Sequence, residues 1–308
     1  MKRAIRKKIN TSFRYFFPAT MSLNIVASTT EETKQGGDVI SMIFHNGKVF
    51  TGAEGGKLII YNQDLTVHKE LQAQFNTVNS MCIFNGDLVT TGNDGLIKVW
   101  SADTLELKNT LTGHDNEIRK LLPTADRLYS GDMNGKVKIW SRELTSQFTL
   151  SCVEEVWDIA VAGDICFTVR DKDITCSEIK FQENVDGDTK FVILTSFEGR
   201  PPLALVGNTI CYCNRPGMTI KLRSTEKGHA EQGELQGHHK IITAMEARGT
   251  LLYTGGYDNT VKIWDVPSKK LIASGTTVSS SVQSLTVGDD GSIYAGLMGG
   301  YVIKMQKQ

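Results

Sequence analysis

The chain has 308 residues, with 34 Lys+Arg against 34 Asp+Glu, 40% hydrophobic residues, 29 glycines and 6 prolines. That length suits one large all-β or α/β-barrel domain or two smaller ones, and ordinary apolar content at zero formal charge excludes disorder as the main state. No uninterrupted apolar stretch approaches the roughly 18 residues that a membrane-spanning helix needs. The six cysteines, at 82, 152, 166, 176, 211 and 213, mostly stand alone in β-branched, apolar runs. Reduced thiols in an intracellular protein are expected from that placement.

Residues 1–20 carry Lys2, Arg3, Arg6, Lys7, Lys8 and Arg14 and no acid. With those six set aside, 28 bases face 34 acids, a balance of −6, so a basic arm precedes a mildly acidic body. Ile5, Ile9, Phe13 and Phe16 or Phe17 recur at near-helical spacing until Pro18. Several readings stay open: a helix on an anionic membrane, a mitochondrial targeting helix, a nucleic-acid-binding arm, or an unstructured tail ahead of a start at Met21. The arm is expected to be a disordered extension when alone. Nucleic acid or anionic membrane is expected to be touched only through it. The rest is expected in the cytoplasm, with the nucleus, or mitochondria if the arm targets there, as alternatives.

Beyond the arm the chain repeats. An orphan strand, LNIVAS (23–28), comes first, and hairpin units follow. Three align without gaps: TTGNDGLIKVW (90–100), SGDMNGKVKIW (130–140) and TGGYDNTVKIW (254–264). Each is a short strand, a Gly/Asp/Asn turn and a second strand of alternating polarity. Weaker copies end at Tyr61, Ile179, Leu222 and about Lys304, giving steps of roughly 40 residues, the length of one four-stranded propeller blade. A short apolar run precedes each hairpin, at 39–44, 78–84, 118–122, 156–161, 202–206, 242–247 and 282–287. These are read as inner strands lining a channel. The expected fold is therefore all-β: a seven-bladed propeller of four-stranded antiparallel blades over 21–308, with the strand at 23–28 closing the last blade and removing an open sheet edge.

Gly113-His114 and Gly237-His238, each followed some 27 residues later by a tryptophan, with Asp265 after the last, resemble the WD-repeat family. In that family a histidine, a Ser/Thr, a turn Asp and the Trp form a hydrogen-bonded chain inside the blade. The resemblance implies this role for His238, Thr254, Asp258 and Trp264. It implies the same for His114, Ser130 and Trp140, with Asn134 where Asp is expected, and for Thr90, Asp94 and Trp100, where no Gly-His precedes. A buried Asp in a tight turn is tolerable only when donors satisfy it, which an imidazole, an indole N–H and a hydroxyl can do. These residues are read as structural.

Chemistry is weakly signalled. GAEGGK (52–57) and GDMNGK (131–136) are one residue short of a phosphate-binding loop and sit in hairpins. Cys211 and Cys213 lack the loop of a zinc knuckle, and Asp186 to Asp188 lack the remaining ligands of a calcium loop. An enzyme would need acid and base groups in the channel mouth, for which Asp38, Glu117 and Glu155 are the candidates, without a nucleophile beside them. No catalytic residue, metal or cofactor is expected.

In propellers of the resembled family, partners dock on the face that carries the loops into the inner strands and the hairpin turns. Applied along the chain, this selects Asp38, Ile40, Glu54, Thr77, Asn79, Asn93, Glu117, Arg119, Met133, Glu155, Trp157 and Arg170. It then selects Arg200, Arg215, Ile241, Thr243, Tyr257, Ser281, Gln283 and Met298. Arg119, Trp157, Arg200 and Tyr257 are types enriched at binding hot spots, and with Asn79 and Glu117 they form the expected contact for a protein or peptide. The alternative for Trp157 is packing between blades. The function read from the sequence is a non-catalytic interaction scaffold, a monomer within a larger complex. The alternatives are a substrate-receptor adaptor of a ubiquitin ligase or similar machine, and a membrane- or RNA-associated scaffold working through the basic arm.

Overall fold

The computed structural model describes residues 20–308 except 153, 186–187, 227 and 278–279, with backbone alone at 183–185 and 188. The basic arm up to residue 19 and the side chains of the 186–188 tip therefore lie outside the described residues. Among the described residues every regular element is a β-strand. After β1 (Met21–Ser28) come β2 (Val39–His45), β3 (Lys48–Ala53), β4 (Lys57–Asn62) and β5 (Val67–Gln72). Next are β6 (Ser80–Phe84), β7 (Asp87–Thr91), β8 (Ile97–Ser101) and β9 (Leu107–Leu111). The third group is β10 (Ile118–Pro123), β11 (Leu128–Asp132), β12 (Lys136–Trp140) and β13 (Ser146–Ser151). A longer set follows: β14 (Asp158–Ala162), β15 (Ile165–Val169), β16 (Asp173–Val185) and β17 (Asp188–Glu198). Then come β18 (Arg200–Val206), β19 (Thr209–Cys213), β20 (Thr219–Ser224) and β21 (Glu231–Gln236). The chain ends with β22 (Ile242–Arg248), β23 (Leu251–Gly256), β24 (Thr260–Asp265), β25 (Lys270–Thr276), β26 (Val282–Val287), β27 (Ile293–Leu297) and β28 (Val302–Lys307).

The hydrogen-bond topology corrects the expected seven separate four-stranded blades. Five blades are four-stranded sheets of their own, and the other eight strands form one sheet in the order β22-β23-β24-β25-β1-β28-β27-β26. The cause is β1. Its residues from Leu23 to Ser28 run antiparallel to β28, while Met21 and Ser22, one step earlier, pair in parallel with Ala273 and Ser274 of β25. A sequence repeat counts chain units, whereas a sheet is counted by its hydrogen bonds, and two residue pairs merge what the repeat keeps apart.

Packing explains why the units hold together. Apolar side chains of one sheet meet those of the next: Cys82, Val89, Ile97 and Val99 pack with Ile118, Leu121, Leu128 and Trp140. A lone sheet would leave both faces wet, so each depends on its neighbours for burial. The outer strands β5 and β9 are mostly exposed and polar, while β3 and β7 are almost wholly buried. The turns are tight enough to demand glycine at Gly135, which sits at φ +79 with no room for a Cβ, since one would lie 2.5 Å from the Cys152 carbonyl oxygen.

Candidate functional site

At one end of the ring the inner strands share a local irregularity. The register slips at Val39/Ser41, Ile118/Lys120, Ile242/Ala244 and Val282/Ser284, and over Arg200/Leu203. Such a bulge inserts an unpaired residue and re-aims its side chain. Ile40, Arg119, Thr243, Gln283 and the pair Pro201 and Pro202 are the inserted residues, and Asn79 and Trp157 stand at the heads of β6 and β14. All of them line one open depression of about 620 Å³ at the channel mouth, together with Asp38, Glu54, Arg200 and Tyr257.

The proposed contact residues divide by what already engages them. The Asn79 amide donates to Asn93 Oδ1 (2.9 Å), Glu117 Oε1 (3.0 Å) and the Ile118 carbonyl (3.1 Å), so it is spent on bracing the rim. Glu117 also lies 2.9 Å from Arg119 Nε as an ion pair, but Nε has no aligned hydrogen-bond acceptor. The Arg119 guanidinium sits 5.2 Å from the Trp157 ring centre, a cation–π contact that holds the indole upright. Trp157 is 40% exposed and Tyr257 38%, so neither is packed away between sheets. Arg200 heads β18 with its Nε buried and without a hydrogen-bond partner.

Three neighbours were not singled out from the sequence. Lys120 and Asp158 form an ion pair of 2.8 Å at the channel wall, where Asp158 also accepts the Leu203 N–H. Met218 is 38% exposed in the turn before β20 and joins Ile241, Tyr257 and Met298 around a second, adjoining depression. A methionine in a weak copy of the repeat carries no periodic signal. Its position could have been inferred only by aligning that turn with the one holding Tyr257.

The internal network lies deeper. His238 Nδ1 is 2.9 Å from Asp258 Oδ2, His238 Nε2 is 2.8 Å from Thr254 Oγ1, and Trp264 Nε1 donates to Thr254 Oγ1 at 2.9 Å. Proton bookkeeping gives one consistent chain: the indole donates to the hydroxyl, the hydroxyl donates to Nε2, and Nδ1–H donates to the carboxylate. His114, Ser130 and Trp140 repeat it at 2.7 and 2.9 Å. Their carboxylate is Asp132, 2.6 Å from His114 Nδ1, and comes from the end of β11 rather than from position 134. Asn134 instead accepts from the Asn116 amide at the surface.

Asp94 departs from the implied role. It is exposed and caps its own turn by accepting the Leu96 N–H at 3.1 Å. In that sheet Gln74 replaces the histidine, donating to Thr90 Oγ1 at 2.9 Å, while Trp100 Nε1 donates to the same oxygen. Gln35 does likewise at Thr51, 2.8 Å away. Both glutamine amide oxygens stay buried without a partner.

A family model described as "WD domain, G-beta repeat" matches residues 65–101, 105–141 and 230–265, the three stretches that end in these tryptophan strands. Those three stretches are WD repeats. The crystal structure of the WD40 β-propeller domain of Doa1 superposes with a TM-score of 0.76 at 19% identity, covering 94% of this chain and 98% of that one. Among curated relatives, the "WD repeat-containing protein 91 homolog" of Dictyostelium discoideum is 24% identical over 66% of this chain and 29% of its own length. "Topless-related protein 4" of Arabidopsis thaliana is 26% identical over 44% of this chain and 13% of its own. The chain thus spans less than a third of either relative. WD40 propellers are generally non-catalytic and typically serve as protein-interaction scaffolds.

Burial governs the paired thiols of β19. Cys211 and Cys213 lie in the core with Ile220 and Leu222, and burial pushes both up to about 12. At neutral pH they are protonated, which suits neither a metal ligand nor a nucleophile.

The two network carboxylates make stability depend on pH. Burial opposes ionisation of Asp258, but hydrogen bonds from His238, Thr260 and the His239 N–H outweigh it and hold the carboxyl below its ordinary 3.8; His114 and the Lys136 N–H do the same for Asp132. A carboxyl more acidic in the folded chain stabilises it fully above the unfolded value and loses that contribution as pH falls through the folded one. The urea midpoint is therefore expected to hold near neutrality and to decline from about pH 4 downward. Asp258→Asn should flatten part of that decline, and an identical profile in the variant would refute the assignment.

Proposed function

We propose that this WD-repeat propeller is a non-catalytic scaffold that receives protein or peptide partners at the channel mouth. The observation that carries the reading is convergence: heads of the inner strands from every sheet direct side chains to one rim, with Trp157 and Tyr257 half-exposed on backbone that hydrogen bonding holds rigid. Rigid aromatic area costs little entropy on binding and gives much contact. The three acids favour the non-catalytic reading, since two are engaged and the third lies off the mouth. Asp38 accepts the Gly299 N–H at 2.8 Å, and Glu117 braces Asn79 and Arg119. Glu155 borders a separate groove beside Cys152 and Phe191.

Quantitative affinity purification from cells tests the reading with Trp157→Ala, Tyr257→Ala and, on the opposite face, Asp126→Ala. Partners should fall about tenfold or more with the two rim variants and stay level with the third. Undiminished recovery with both rim variants, each folded by circular dichroism, would overturn it.

A further inference from the structure

The rim is not uniform, and its corner between β18 and β22 combines two features found together nowhere else among its described residues. Arg200 is the first. No carboxylate of the described residues lies within ion-pair distance of it, and its buried Nε has no acceptor. The nearest competing acids are engaged: Glu198 holds Arg215 at 3.2 Å, and Asp171 is hydrogen-bonded by Lys172 while feeling Arg200 and Arg215 only through space. By contrast Arg119 already has Glu117 and Trp157. An arginine left with open donors beside low-dielectric walls strongly favours an anionic ligand.

The second feature is apolar and continuous with the first. A Cβ placed on Gly217 would stand 3.3 Å from Arg200 Cδ, 3.3 Å from its Nη1 and 3.3 Å from Ile241 Cγ2, so the guanidinium stem and Ile241 flank the same bare turn. Ile241 in turn borders the adjoining depression with Met218, Tyr257 and Met298, exposed by 38, 38 and 42%. Two methionines offer an adaptable wall, and the tyrosine a flat one.

We propose that this corner is a two-part receptor for a partner peptide carrying an anionic side chain, carboxylate or phosphate, within one to three residues of a large apolar one. Arg200 takes the anion, and Met218, Tyr257 and Met298 take the apolar group. The proposal rests on the docking role of the mouth and deepens it by naming the ligand chemistry.

Selection from a phage-displayed library of random dodecapeptides tests it, followed by arrays of the selected sequences with Glu, Gln or phosphoserine at the acidic position. Enriched sequences should pair Asp or Glu with Leu, Ile, Phe or Met at that spacing. Arg200→Ala should weaken them about ten- to a hundredfold, with Arg200→Lys between, and Tyr257→Ala should weaken them while leaving the acidic preference. On the arrays, tighter binding of phosphoserine than Glu assigns phosphate as the preferred source, and the reverse assigns carboxylate. Binders that lose affinity with Trp157→Ala but show no acidic preference, or resist both Arg200 variants when these are folded by circular dichroism, overturn the two-part receptor and leave the docking role standing. Binders indifferent to Trp157→Ala and Tyr257→Ala as well overturn both.

Discussion

Trp264→Ala should destabilise the chain by about 3–5 kcal/mol in urea unfolding, a large share of the roughly 5–15 kcal/mol typical of a folded domain. The indole is 2% exposed and packs with Leu235, Ile242, Leu252 and Val266, so it fills the seam between two sheets. Truncation removes that area, leaves a cavity and strips Thr254 of one donor. Trp264→Phe keeps most of the ring volume and loses the N–H, so it should cost about 1–3 kcal/mol. Trp157→Ala is the internal contrast: it is a half-exposed ring on the rim, and its loss should change stability by no more than about 1 kcal/mol. Equal losses at the two positions would erase the distinction between a tryptophan that builds the blade and one that presents a surface.

The second large effect concerns closure. Leu23→Ala should cost about 2–5 kcal/mol, because that side chain is 4% exposed among Ala273, Ile303 and Met305. Removing residues 1–28 altogether should do more. It strips β28 of its antiparallel partner and β25 of its parallel one, leaving two open edges with an apolar face between them. Such edges pair with other chains, so light scattering after size exclusion should show association where the full chain does not. A shortened chain that stays monomeric with an unchanged melting temperature would show that β1 is not the clasp. Gly275 supplies a gentler probe: an added Cβ would lie 2.3 Å from the Leu23 carbonyl oxygen, so Gly275→Ala should loosen β1 and speed amide exchange there.

How much of this was legible follows from what each feature depends on. The tryptophan strands and the apolar inner strands are written in local periodicity, and the structure places strands there because a period of two must bury one face. The rim positions follow from the same register. Three things lay beyond local pattern. The fusion of strands into one eight-stranded sheet depends on Met21 and Ser22, whose partners are some 250 residues away. Gln74 and Gln35 take histidine's place because a hydroxyl can either donate to an imidazole nitrogen or accept an amide N–H, and that interchange does not show as residue identity. Asp132 does the work expected at 134 because carboxylate reach, not alignment, decides which residue meets His114. The hairpin of β16 and β17 also outgrows the repeat, with 13 and 11 residues where the expected copy ended at Ile179.

The central claim, that partners dock at the mouth where the inner strands begin, is tested most directly by site-specific photo-crosslinking in cells. A photoreactive phenylalanine analogue placed at Tyr257 samples the rim, and one placed at the exposed Asp126 samples the far end of the ring. Discrete, partner-sized adducts from position 257 and none from 126 are the predicted result. Adducts from 126 with none from 257 would contradict the account.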